Sequence, residues 1–155
     1  MGRQIIDSAL LIESRRVVLE YANLVLGVID VDKDYTALLN ALQQASTYPH
    51  NVGTIELIET HISWVLLTGD YVYKIKKPVN MGFLDFSTLE KRHFFCDEEL
   101  RLNKRLAPDY YLEVVRLTGT PESPEINGTG EAFEYAVKMQ QFPHRQQLDI
   151  LLAEG

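Results

Sequence analysis

Three observations in the sequence predict an α+β fold. Residues 55–77 form a β-rich run whose apolar bursts are separated by tight turns. A helix-start signal, Ser87-Thr88-Leu89-Glu90, follows soon after. Two further strand-like stretches come after the helix. The expected layout is a five-stranded antiparallel sheet with one long helix, preceded by an N-terminal helical extension.

The elements follow in chain order. Residues 1–31 carry no clear motif, and 5–27 read as one or two helices. Asp34 is placed to cap a short helix over 35–45, with Leu38, Leu39 and Leu42 as its apolar stripe. Tyr48-Pro49-His50-Asn51 breaks that helix. Ile55, Leu57 and Ile58 fall in the first strand, and Trp64-Val65-Leu66-Leu67 form the second. Thr68-Gly69-Asp70 turns the chain into the third strand, 71–77, which Pro78 stops because proline cannot donate to a ladder. The long helix opens at Ser87, runs to about Leu106 and ends before Ala107-Pro108. On it Phe95, Glu99, Leu102 and Leu106 share a face, and a carboxylate inside an apolar stripe is unfavourable unless something pairs with it. A fourth strand near 111–117, a turn-rich stretch over 118–130 and a fifth strand over 133–139 complete the sheet. Gln140-Gln141-Phe142-Pro143 then leads into an amphipathic tail.

Composition narrows the class of function. The chain has 155 residues, 46% hydrophobic and 24% charged, which is enough apolar material for a core and argues against wholesale disorder. A net charge of -7 speaks against a nucleic-acid partner, because phosphate-backbone binding needs a basic surface. Cys96 is the only cysteine, so no internal disulfide forms, and it reads as a buried, inert thiol. The four histidines have no metal-ligand spacing. Arg15-Arg16 precedes an apolar run over 17–29, but Glu20 and Asn23 interrupt it and it is too short to span a bilayer. It reads as an amphipathic segment of a cytoplasmic protein, with no membrane partner. Asn127-Gly128-Thr129 matches a glycosylation sequon and, in that setting, is a turn.

The chemistry concentrates in Val72-Tyr73-Lys74-Ile75-Lys76-Lys77-Pro78 and the helix that carries Glu98-Glu99. Strand alternation puts Val72, Lys74 and Lys76 on one face. Taken alone, these lysines read as charges guarding a sheet from edge pairing. The helix carboxylate downstream reverses that judgement for Lys74, with Lys76 as the alternative. Glu99 is the expected partner and Glu98 the runner-up, read as an exposed helix charge. As a surface pair it would contribute at most ~1 kcal/mol, so its role would be to position the lysine.

From Tyr48 onward the chain resembles the N-terminal part of the aminoglycoside phosphotransferase-like, protein-kinase-like enzymes, in particular the group often fused to a P-loop ATP-binding domain. The residues that carry the resemblance are Glu59-Thr60-His61-Ile62-Ser63-Trp64-Val65, Tyr73-Lys74-Ile75-Lys76-Lys77-Pro78, Gly82-Phe83-Leu84-Asp85-Phe86-Ser87, Glu98-Glu99-Leu100-Arg101-Leu102-Asn103 and Leu106-Ala107-Pro108. It implies a kinase-like small lobe over 48–143, an extension over 1–47 and the start of a truncated large lobe over 144–155. It further implies ATP as ligand: Lys74 on the phosphates, Glu99 holding Lys74, Val72 against the adenine, and Met139 at the back of the pocket. The carbonyl of Gln140 and the N–H of Phe142 would meet the adenine edge. Thr60-His61-Ile62-Ser63 would cover the phosphates without a glycine-rich loop.

Such enzymes place a catalytic Asp and a metal-binding Asp in their large lobe, and no His-Gly-Asp occurs here. The expectation is an ATP-gripping lobe, as a fragment or a truncated product, inactive alone and using Mg²⁺ only if the missing lobe is present, with that large lobe or a fused P-loop domain as its expected partner. The alternative is a non-catalytic module for nucleotide sensing or partner docking. An apolar edge around Leu148, Ile150 and Leu151 would favour self-association.

Overall fold

Alternating apolar residues in 63–76 and 111–117 need a partner for one sheet face, and Leu38 and Leu42 supply it from the preceding helix. The computed structural model describes residues 34–141. The expected helices over 5–27, the contact at Phe142 and the tail residues Leu148, Ile150 and Leu151 lie outside them. Helix α1 (Asp34–Leu42) and a 3-10 turn (Ala45–Thr47) lead into strands β1 (Glu56–Glu59), β2 (Ser63–Leu67) and β3 (Tyr71–Lys76). Helix α2 (Leu89–Lys104) follows, then strands β4 (Tyr111–Thr120), β5 (Ser123–Ile126) and β6 (Glu134–Gln140). The fold class is α+β, and the strands form one antiparallel sheet in the order β1-β2-β3-β6-β4-β5.

The sheet has six strands where five were expected. The extra strand, β5, lies in the stretch that reads as turns because Gly119, Pro124, Gly128 and Gly130 punctuate it. Pro124 pairs with Gly119 on the outer strand of the sheet, where a missing N–H breaks no ladder. Gly119 has φ +80, and a Cβ there would meet Ser123 O at 2.6 Å, so the position requires glycine.

Side-chain alternation divides the sheet into two unlike faces. Trp64 and Leu66 lie opposite Ile75 and Tyr73, and Ala136 continues the row into Val115. With Leu38, Leu42 and Tyr48 these residues form the buried core. Each such apolar side chain contributes ~1.5–3 kcal/mol by leaving water. Tyr35 stacks on Trp64 with centroids 4.8 Å apart, and the Tyr48 hydroxyl donates to Leu42 O at 2.6 Å, which fixes the end of α1 on the core. Among the described residues no helix is long and apolar enough to cross a membrane.

The other face is covered by α2, and not by an apolar stripe. Leu102 and Leu106 are exposed, whereas Arg92 and Cys96 are buried and Glu99 is nearly so. The inward positions are 92, 96 and 99, a face that shares Glu99 with the expected stripe but is rotated around the helix from Leu102 and Leu106. The entry also differs by one residue. Thr88, not Ser87, is the N-cap and accepts from Lys91 N at 3.3 Å. Ser87 is already committed, since its N–H and hydroxyl both donate to Asp85 Oδ1, at 2.9 and 2.6 Å.

Arg92 anchors the first half of α2. Its Nε donates to both oxygens of Glu134, at 3.1 and 2.9 Å, and its Nη1 donates to Phe86 O at 3.0 Å. The Tyr35 hydroxyl donates to the same carboxylate at 2.7 Å and Tyr135 N at 3.0 Å. Glu134 is fully buried, so its charge is compensated by three donors, one from each of three segments. Arg92→Met leaves that carboxylate without its cation and is expected to cost ~3–5 kcal/mol in urea unfolding, while replacing both partners by apolar residues costs less. Leu102→Lys, on the exposed side of α2, is expected to change stability by less than ~0.5 kcal/mol in the same measurement.

Candidate functional site

Strand β3 lies inside the sheet, bonded to β2 on one side and β6 on the other, so its residues have fixed register and direction. Lys74 sits between Val65 and Val137, and Val72 sits beside Met139. Residues two apart on a strand share a face, and Val72, Lys74 and Lys76 therefore point toward α2. The helix brings Glu99 down between the two lysines. Lys74 Nζ donates to Glu99 Oε1 at 2.7 Å, and Lys76 Nζ donates to Glu99 Oε2 at 2.7 Å.

The lysine–carboxylate pairing expected for Lys74 and Glu99 is thus present, and Lys76, weighed as an alternative, joins it. Glu98 is excluded from it. It faces outward and takes a two-pronged bond from Arg101, at 2.8 and 2.7 Å. The expectation of a surface pair needs correction. The side chains of Lys74, Lys76 and Glu99 are 14%, 6% and 10% exposed, so the cluster is largely desolvated and its members depend on one another.

Burial pushes the Glu99 carboxyl up, but the two ammonium groups outweigh it and hold it down at about 2. The thiol of Cys96, one turn earlier on α2, is pushed up by burial to about 12, which makes it a poor nucleophile. Lys76 Nζ also stands over the Phe86 ring, 5.0 Å from its centroid. Phe86 belongs to the stretch 82–87 singled out in the sequence. Its work is local: Phe86 N donates to Val79 O at 2.7 Å, and Asp85 takes Ser87 and Lys91.

Around this centre lie the other expected residues. Val72 and Met139 are half-buried neighbours, and Gln140 is exposed at the end of β6. Gln140 N donates to Tyr110 O at 2.8 Å, and its side chain and Gln141 N both donate to Asp70 O at 2.9 Å. The β6 end is thereby tied to the β2–β3 turn. Thr60-His61-Ile62-Ser63 forms the β1–β2 turn, closed by Thr60 N donating to Ser63 O at 2.9 Å. Ser63 is fully buried opposite Lys76, and its hydroxyl has no hydrogen-bond partner. Lys77, on the other side of β3's end, pairs with Glu59 at 2.5 Å and lies over Trp64.

Sequence reasoning named Ser63 and Phe86 only as members of longer motifs, and it did not single out Arg92 or Glu134. A signal existed for the last two: Glu134 is a lone acid entering an apolar strand, and Arg92 lies two helical turns before Glu99. Among the described residues no group of three or more His, Cys, Asp or Glu is arranged to hold a metal ion.

Glu99 makes stability depend on acid. Its folded value lies below its ordinary 4.5, so its contribution is present above that value and is lost as pH falls from 4.5 toward about 2. Glu99→Gln removes that acid-dependent loss and, at neutral pH, leaves two buried lysines without their carboxylate at a cost of ~3–5 kcal/mol. Denaturation of both proteins between pH 2 and 7 measures it, and parallel pH curves would contradict it.

No protein-family model matches the chain, and no solved structure matches it. Curated relatives from Mycobacterium bovis and Mycobacterium tuberculosis are each 36% identical to it over 101 residues, and both are described only as uncharacterized proteins. The shared stretch is 65% of this chain but 19% of each relative, so the chain spans less than a fifth of the length of the proteins it matches.

Proposed function

We propose that the chain is the nucleotide-binding lobe of a small-molecule phosphotransferase-like protein of the protein-kinase-like kind, and that its ligand is ATP. The observation that carries the reading is the 2.7 Å bond from Lys74 on an interior strand to Glu99 on the crossing helix. A lysine fixed in this way presents its ammonium to nucleotide phosphates, and the helix carboxylate sets its direction. Val72 and Met139 beside it offer the adenine an apolar seat, with the Gln140 carbonyl at its edge.

The connectivity supports the same reading. Setting aside the outer strand β5, the order β1-β2-β3-β6-β4 leaves five antiparallel strands with α2 between the third and fourth of them in the chain. That is the layout the resemblance implies. Transfer of the phosphoryl group needs a base and metal ligands that a second lobe would bring, and the greater length of the relatives has room for one. The lobe alone grips nucleotide without transferring phosphate.

Calorimetric titration of the 155-residue chain with Mg-ATP tests this. Saturable binding is expected, weakened about tenfold or more in Lys74→Ala with its unfolding transition intact, since a lost charge-assisted phosphate bond amounts to ~1.5–3 kcal/mol. Equal binding by Lys74→Ala would overturn the role of Lys74, and no binding by the folded wild type would overturn the reading.

A further inference from the structure

We propose that His50 is an acid-released latch. As a neutral imidazole it ties the connector between α1 and β1 to the start of β3, and a second proton on its ring opens that tie. The latch lies on the α1 side of the sheet and does not depend on the nucleotide reading.

The hydrogen bonds decide which ring nitrogen carries the proton. His50 Nε2 lies 3.1 Å from Thr68 Oγ1, and His50 Nδ1 lies 3.4 Å from the Tyr73 hydroxyl. Thr68 already gives its single hydroxyl proton to Tyr71 O at 2.7 Å, so it accepts from the ring. The imidazole is therefore protonated on Nε2, and the lone pair of Nδ1 accepts from Tyr73. A proton on Nδ1 sets two donors face to face. The Tyr73 hydroxyl must then turn its own proton away within a buried site, where a donor without an acceptor is costly.

The tie bears on the seat of α1. The His50 ring packs edge-on against Tyr71, with centroids 4.9 Å apart, and against Tyr48 at 5.7 Å. Tyr48 in turn donates to Leu42 O, the bond that fixes the end of α1 on the core. Release of His50 removes one wall of the Tyr48 site and loosens that end.

The groups around the ring oppose the second proton on balance. Burial opposes it most, and Lys138 of β6, lying over Tyr71 and paired with Glu113 of β4, adds to that. Asp70 in the β2–β3 turn favours the proton, and the phenols of Tyr48, Tyr71 and Tyr73 complete the surroundings. The result holds His50 below its ordinary 6.5. The unfolded chain takes the proton at 6.5 and the folded chain only below it. The contribution of the latch is thus complete above 6.5 and is lost as pH falls beneath that value.

Nuclear magnetic resonance of the full chain tests this in three steps. In the wild type at neutral pH, the ring proton of His50 is expected on Nε2, and a proton on Nδ1 overturns the proposal. In Tyr73→Phe, which frees the Nδ1 lone pair, His50 is expected to titrate closer to 6.5 than in the wild type. An unchanged titration in the folded variant overturns the bond to Tyr73. Last, exchange of the Tyr48 amide, bonded to Ala45 O, is compared with that of the Ile75 amide inside the sheet, so that the intrinsic effect of pH cancels. The relative protection of Tyr48 is expected to drop several-fold as His50 titrates in the wild type and to stay level in His50→Phe. A level wild type, or an equal drop in His50→Phe, overturns the latch, and the tautomer and titration steps stand without that variant should it fail to fold.

Discussion

The bond of one carboxylate to two lysines holds α2 against the middle of the sheet, and the remaining features of that face follow from it. A helix normally docks through an apolar stripe, but the inward positions of α2 are occupied by Arg92, Cys96 and Glu99. Charges buried at two of these positions are unfavourable unless met, and each is met from a strand: Glu134 at the start of β6 and the lysines of β3. The helix is therefore fixed in rotation and along its axis by groups that tolerate little displacement. Sliding α2 by one residue would strand three cations or their carboxylates in a place with little water.

The two faces of the sheet divide the work. On the α1 side, Leu38, Leu42, Trp64, Leu66 and Ile75 exclude water and carry most of the burial. On the α2 side, packing is subordinate to charge. Glu134 joins the two, because it takes hydrogen bonds from Tyr35 of α1 and from Arg92 of α2. Loosening of α1 is thereby felt at α2 and at the residues that Arg92 holds, including the carbonyl of Phe86 beneath Lys76.

Much of this was legible in the residues, though not always for the right reason. The three-strand meander and the helix after it follow from alternation, turn residues and a capping signal. Glu99 was legible as the buried carboxylate, but the inference leaned on Leu102 and Leu106, which are half exposed. The true stripe was hidden because its members are Arg92 and Cys96, and periodicity arguments count apolar residues. Thr88 displaced Ser87 as the cap because Asp85, outside the capping motif, had already engaged Ser87. Strand β5 was masked by Pro124 and its glycines, since a proline marks a turn unless the strand is known to lie outermost. The joint claim of Lys74 and Lys76 on Glu99 required the distance between helix and strand, which no spacing within one segment supplies.

Two buried ion clusters on one helix also permit a comparison. Apolar residues of similar volume would hold α2 about as well as either cluster, so stability alone does not account for them. The Arg92–Glu134 pair is closed: its side chains are 7% and 0% exposed, and donors surround the carboxylate. The Lys76–Glu99–Lys74 cluster is graded instead, its exposure rising from 6% through 10% to 14% toward Lys74. A closed pair fixes a helix. A graded cluster fixes a helix and also brings a lysine to its more open end, next to a half-buried apolar strip. That difference in exposure, rather than the presence of buried charge as such, is what the proposed nucleotide role of Lys74 draws on.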